Sequence, residues 1–280
     1  MSNIRRVNPA SGSAFSLVEL SIVLVILGLL VGGILTGKSL IRAAELRAAI
    51  TESNRLRTSV YTFRDKYFAL PGDLANATSF WSQDAGGCPG NNVSSTGPHS
   101  TTCDGNGDGM INYNASVSHE PYRAWQHLAN AGLIEGSYTG VSNSVTVNSY
   151  NSSLTTPNSP ASKVNGGFWI IQYQGTAPIA STLLFDGDYG NVLLLPNISS
   201  PTNGVGALLK PEEAWNIDTK LDDGKPGTGR VTSAKSAAQA NASTGCSNVA
   251  YTTAASIAAS SEYLLSNDQI ACSLIFKLGV

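Results

Sequence analysis

From Phe15 to Leu35 the chain reads F-S-L-V-E-L-S-I-V-L-V-I-L-G-L-L-V-G-G-I-L, 21 residues broken by a single charge, Glu19. As an α-helix rising about 1.5 Å per residue this run spans roughly 32 Å, close to the ~30 Å hydrocarbon core of a bilayer. No other segment approaches that length, so the pattern predicts one membrane crossing near the start of the chain. Beyond it, Lys38 to Tyr67 contains no Pro or Gly, and apolar residues recur at Leu40, Ala43, Ala44, Leu46, Ala49, Ile50, Leu56, Val60, Phe63 and Tyr67 with roughly helical period. Pro71-Gly72 stops the pattern. A single helix over 15–67 is expected, its first half apolar all round and its second half amphipathic. The spacing is too irregular for strict heptads, so the second half is expected to pack on the chain's own head rather than in a coiled coil.

The sheet that would cover this helix is expected in residues 166–196. Phe168 to Tyr173 is an apolar, aromatic run, and Ser181–Phe185 and Val192–Leu195 flank D-G-D-Y-G-N at 186–191, a β-hairpin signature with turn residues in its middle. A short helix is expected from Glu120 to Ala131, with Tyr122, Trp125, Leu128 and Ala129 inward and Gly132 as its stop. Residues 141–165, rich in Ser, Asn, Thr and Val, read as a surface loop. The fold class is therefore α+β: a long N-terminal helix packed on an antiparallel sheet, with a loop-rich head over 68–280.

Composition narrows the setting. Charged residues are 13% of the chain, the formal net charge is −2, and Gly and Pro number 28 and 12. A broad basic surface for nucleic acid is not expected from this balance, and the loop-rich, low-charge head suits an extracytoplasmic protein. A cleaved secretory signal competes with a retained anchor for the apolar run, but such signals carry an apolar stretch of only about 7–15 residues, and this run continues directly into a helical pattern. Arg5 and Arg6 precede the run while Lys38, Arg42 and Arg47 follow it, so basic residues alone leave the orientation open.

A carboxylate inside such a run is costly and is read as functional. A short basic leader, the small residue Ala14, the aromatic Phe15 and Glu19 four positions later resemble the processing signal of type IV pilins and type II secretion pseudopilins. The resemblance is specific over about the first 30 residues and looser beyond. It implies cleavage between Ala14 and Phe15 by a membrane-embedded prepilin peptidase and methylation of the new amine. It also implies a leader over 1–14, an assembly helix over 15–67, and insertion into a filament through an inner-membrane assembly platform. Glu19 of one subunit would then pair with the ammonium of Phe15 on its neighbour, a weak stabiliser but a strong register device. The pattern usually has Gly where this chain has Ala14, and a helix Pro where this chain has Thr36. A helix packed on a sheet is also what the family implies.

Residues 104–112, D-G-N-G-D-G-M-I-N, follow the first nine positions of an EF-hand-type loop: Asp104, Asn106 and Asp108 as oxygen ligands, Gly109 at the sharp turn, the Met110 carbonyl, then Asn112. The twelfth position is Ala115 rather than Glu, so a regular EF-hand is excluded, and Glu120 is the candidate for the missing carboxylate. The expected cofactor is calcium; the competing reading is a Gly/Asn/Asp turn without an ion. In pseudopilins, by resemblance, calcium steadies the head for assembly. Asp222 and Asp223 form a weaker second candidate and read rather as a turn, and Asp186 and Asp188 are explained by turn formation.

Four cysteines fall in two local pairs, Cys88 with Cys103 and Cys246 with Cys272, although four allow three connectivities. The first pair lies in the 68–140 region with the candidate ion loop, the second in a C-terminal region over 208–280. No C-x-x-C or Cys/His cluster supports zinc. The three histidines, His99, His119 and His127, accompany no G-x-S-x-G, P-loop or H-E-x-x-H, so no enzyme is expected. The expected function is a structural subunit of a type IV pilus or secretion pseudopilus, anchored once in a bacterial inner membrane with its head in the periplasm. Its length suits a minor or tip subunit. An anchored adhesin or binding protein that never polymerises is the alternative.

Overall fold

The structure is a computed structural model, which describes residues 16–84, 88, 101–114, 118–140, 159–177, 184–197, 206–234, 245–249 and 258–280. The chain divides into two compact units, Met1–Ala44 and Glu45–Val280. Helix α1, Leu17–Tyr67, contributes turns to both.

In the first unit α1 is the described element. Ser16 caps it: its Oγ accepts the Val18 N–H at 3.3 Å, and Glu19 Oε2 accepts the Ser16 N–H at 2.9 Å. The bond from Glu19 back to the Ser16 N–H is the return half of a capping box, while the Ser16 hydroxyl takes the N–H two residues on, so N–H groups left over at a helix start are satisfied. The large apolar residues from Leu17 to Leu35 all stay exposed, and this is the one described helix long and apolar enough to cross a membrane. Its hydroxyls are satisfied within the helix, Ser21 Oγ on the Val18 carbonyl and Thr36 Oγ1 on that of Gly32, both at 2.9 Å. That arrangement suits an environment without water, where an unpaired hydroxyl is expensive. Leu40, expected in the amphipathic stripe, is exposed with this unit.

In the second unit the remaining turns of α1 bury Ala49, Ser53, Leu56, Ser59, Val60 and Phe63, a stripe at three- and four-residue steps. Strands β1 (Ser82–Gln83) and β2 (Thr101–Thr102) pair in parallel, and β3 (Tyr113–Asn114) and β4 (Ser118–His119) form a small antiparallel pair. Helix α2, Glu120–Asn130, follows and ends at Gly132, whose φ is +71°. The main sheet comprises β5 (Ile170–Tyr173), β8 (Asn191–Leu195), β9 (Val231–Ser233) and β10 (Leu274–Lys277) in the order β5-β8-β10-β9, antiparallel throughout. Strands β6 (Thr176–Ala177) and β7 (Gly187–Asp188) pair beside it, and helix α3, Pro211–Leu221, precedes β9.

Period-two alternation divides the sheet between two cores. Ile171, Leu193, Leu195, Leu274 and Phe276 join Leu56, Val60 and Phe63 of α1 and Trp125 and Leu128 of α2, whereas Ile170, Val192, Leu194 and Ile275 gather with Leu184 and Tyr189. Burying each such side chain stabilises by roughly 1.5–3 kcal/mol. Glu52 pins α1 to the loop entering β5, accepting from Ser162 Oγ at 2.8 Å, the Lys163 N–H at 3.1 Å and Trp169 Nε1 at 3.0 Å. Tyr61 donates to the Leu278 carbonyl and ties α1 to the end of β10.

The hairpin differs from the sequence expectation. β8 pairs with β5, not with Ser181–Phe185, and the same register runs on through β6 and β7, with Tyr173 opposite Asn191 and Thr176 opposite Asp188. Gly187, Asp188 and Asn191 therefore sit in the ladder rather than in the turn. The reason is partnership: pairing with β5 puts Ile170 and Ile171 opposite Leu194 and Leu193 and fills both cores at once. Leu184 and Phe185 are buried outside any strand, and residues 181–183 lie outside the described residues. The disulfides join Cys88 to Cys103 and Cys246 to Cys272, the local pairing that sequence proximity favours.

Candidate functional site

Three segments of the second unit meet backbone to backbone around a group of carboxylates. Gly72 follows the stop of α1, and a Cβ there would lie 2.4 Å from the Glu120 carbonyl; a Cβ on Gly105 would lie 2.4 Å from the Gly72 carbonyl. Only glycine permits this approach. Beneath the contact, His127 Nδ1 accepts the Gly72 N–H at 2.9 Å, so the proton sits on Nε2, which faces Thr102 Oγ1 at 3.0 Å. Burial, reinforced by the Arg123 charge, lowers the His127 pKa to about 3 and keeps the ring neutral. Arg123 in turn meets Asp84 at 2.5 Å in a buried ion pair. His127 is thus a post under the loop, satisfied on both nitrogens.

The loop over 104–112 is held from outside itself. Asp73, buried, accepts three of its backbone N–H groups: Gly107 at 2.6 Å and Asp108 at 3.0 Å on Oδ1, and Gly109 at 2.9 Å on Oδ2. Glu120, fully buried in the first turn of α2, accepts the Asn106 N–H at 3.2 Å and the Asn112 N–H at 2.9 Å. Carboxylate oxygens of Asp73, Asp108 and Glu120 all lie within 4.8 Å of one another. At that separation two unit charges repel by about 3 kcal/mol with an effective dielectric near 20, so a neutralising partner is needed. Protons supply part of it: burial raises the Glu120 pKa to about 7, helped by the charges of Asp73 and Asp108 and opposed by the Asn112 and Asn106 amides. Burial also raises Asp73 against the pull of its three amides.

The expected ligand set is only partly assembled. Asp108 and Glu120 come together with Asp73, a residue the loop pattern does not contain. Asp104 turns away and accepts from Thr78, N–H at 2.7 Å and Oγ1 at 3.0 Å, so it caps a neighbouring turn. Asn106 and Asn112 donate their amide nitrogens to Asp108 Oδ2 at 2.8 and 3.3 Å, and the Met110 carbonyl accepts the Asn112 N–H at 3.0 Å. Ala115 lies outside the described residues, as do Ala14, Phe15 and His99. Asn112 Oδ1 is buried with no hydrogen-bond partner, beside the carboxylates its own nitrogens touch. An orphaned oxygen next to three clustered carboxylates fits a hard cation with oxygen ligands. These acidic groups could hold a metal ion.

A second acidic group, Asp218, Asp222 and Asp223, is equally close-set, but its oxygens build the local fold. Asp222 accepts the N–H groups of Arg230 and Val231, Asp223 that of Lys225, and Asp218 takes the Tyr263 hydroxyl at 2.9 Å. The turn reading of Asp222 and Asp223 accounts for these contacts. In the first unit, Glu19 closes the capping box, a role readable from S-x-x-E at 16–19 but not drawn from the sequence above. Compared with known proteins, the chain matches no family model, no curated protein and no solved structure.

Proposed function

We propose that this chain is a structural, non-enzymatic subunit of a type IV pilus or type II secretion pseudopilus, processed between Ala14 and Phe15 and polymerised through its N-terminal helix. One observation carries the reading: a single helix, Leu17–Tyr67, exposes every large apolar residue of its first six turns while its last turns form the core of an α+β head. A surface left apolar all round needs either lipid or other helices of its own kind. Glu19 adds to this. Among the described residues its carboxylate holds the Ser16 N–H through Oε2, which leaves the other oxygen to meet a neighbour's terminal ammonium once the helices bundle.

The head then stands in the periplasm and carries calcium at Asp73, Asp108 and Glu120, with the side-chain oxygen of Asn112 completing the oxygen set. The ion would neutralise the cluster and lock the 104–112 loop onto α2. Intact-mass and N-terminal analysis of the protein from cells with and without a prepilin peptidase tests the reading. A methylated Phe15 terminus that depends on the peptidase supports it. An intact Met1 form, or a cut beyond the apolar run, leaves an anchored or secreted binding protein that does not polymerise.

A further inference from the structure

One side-chain amide joins the 104–112 loop to two other parts of the head. Asn191, the first residue of β8, is 2% exposed. Its Oδ1 accepts the Ile111 N–H at 2.9 Å, and its Nδ2 donates to the Gly109 carbonyl at 3.0 Å. These contacts flank Met110, so a single planar group sets the path of the chain on both sides of the residue whose carbonyl the loop pattern offers to a cation. Gly109 is held from its other side as well, its N–H on Asp73 and its φ at +82°. The partners settle which way the amide points. Turned over, it would set its oxygen against two main-chain oxygens and its N–H groups against that of Ile111.

The same Nδ2 donates to the main-chain oxygen of Val280 at 2.9 Å, and the Asn191 carbonyl accepts the Leu278 N–H at 2.9 Å. The Leu278 carbonyl takes the hydroxyl of Tyr61 on α1, which itself receives Arg57 Nη2 at 3.3 Å. Hydrogen bonds therefore run without a break from the loop through Asn191 and the 278–280 segment to α1. The line has little slack, because Asn191 is paired in the ladder opposite Tyr173 and both Ile111 and Leu278 are buried in the main core. We propose that Asn191 couples the loop to helix α1, so that the ordered loop and the seating of 278–280 on Tyr61 stabilise each other. Taken with the cation reading of the loop, on which this second step rests, the coupling makes calcium binding and the seating of α1 reciprocal.

Amide hydrogen exchange in the full chain, held in detergent micelles without calcium, tests the coupling apart from any ion. Tyr61→Phe removes one hydroxyl. It should speed exchange of the Leu278 N–H and, through Asn191, of the Ile111 N–H, each by about fivefold, as loss of one ordinary hydrogen bond allows. The Leu264 N–H, bonded to the Cys246 carbonyl, should keep its rate, which separates coupling from a general loss of stability. Asn191→Ala should speed Ile111 exchange by itself and leave nothing there for Tyr61→Phe to add; where that variant does not fold, Tyr61→Phe alone still decides. Faster exchange at Leu278 with Ile111 unchanged, no change at either, or an equal rise at Leu264 overturns the proposal. Calcium titration of wild type and Tyr61→Phe then reads the reciprocal effect: an affinity about fivefold weaker in the variant is expected, and an equal affinity overturns the coupling. A wild-type chain that takes no calcium refutes the cation reading alone, because the exchange rates decide the coupling without it.

Discussion

Asp73 makes the sharpest claim on the candidate site, because nothing in the 104–112 pattern points to it. Replacing it by alanine removes the acceptor of three backbone N–H groups, those of Gly107, Asp108 and Gly109. Bonds to a charged acceptor contribute roughly 1.5–3 kcal/mol each. The loss is partly offset, since the Asp108 N–H keeps Asn106 Oδ1 at 3.0 Å as an acceptor and the repulsion toward Glu120 and Asp108 disappears. A net destabilisation of about 2–4 kcal/mol is expected, which for a head of this size lowers the melting temperature by about 5–15 °C. Thermal unfolding of the full chain in detergent, with and without calcium, measures it. Asp73→Ala should also abolish the rise in melting temperature that calcium gives the wild type. Asp104→Ala, which among the described residues loses the contacts to Thr78, should keep that rise. The opposite pair of results, calcium response lost in Asp104→Ala and retained in Asp73→Ala, refutes the assignment and restores the linear loop.

Glu19→Gln keeps an oxygen for the Ser16 N–H but removes the charge, so it should block filament assembly while leaving helix content by circular dichroism unchanged; assembly by this variant would sink the charge-pairing role. Leu193→Ala, at a position with no exposure in the main core, should cost about 2–5 kcal/mol in denaturant unfolding. Removing the Cys88–Cys103 bridge, which closes a separation of 15 residues, should cost roughly 3 kcal/mol, read by comparing Cys88→Ser/Cys103→Ser with wild type. Burial lifts Asp218 to about 7 against the Tyr263 hydrogen bond. The folded chain then keeps a proton that the unfolded chain releases near its ordinary value of 3.8, so this group's contribution falls as pH rises from about 4 to 7 and is level above. Asp218→Asn should flatten that slope, and an identical pH profile in the variant counts against it.

The long helix was legible because a continuous apolar run and then a helical stripe are local signals, and Pro71-Gly72 ends them. Helix α2 was legible for the same reason, from Tyr122, Trp125 and Leu128 to Gly132. The main sheet was legible in kind but not in pairing. β9 is three residues, Val-Thr-Ser, and β10 draws its partners from far upstream, Leu274 lying opposite Leu195 on one side and Ser233 on the other, so neither announces its place by periodicity. In the candidate site, Asp108 and Glu120 could be read because loop spacing and a helix start mark them. Asp73 could not, because it follows a helix stop and resembles an ordinary turn residue until folding brings it under the loop. Asp104 satisfies the loop pattern yet serves Thr78, since the spacing of oxygen-bearing residues does not say which way a side chain turns.

The contact between Glu52 and Trp169 gives the molecule an optical gauge of its own. Trp169 is 1% exposed, and its indole N–H is held by a carboxylate from α1, a local field that neither bulk water nor a hydrocarbon core reproduces. Loosening of α1 from the strand layer would break that N–H contact and change the emission of the indole before the sheet itself opened. With Trp81, Trp125 and Trp215 replaced by phenylalanine, the remaining fluorophore would separate the release of the helix from the melting of the domain in a single spectrum.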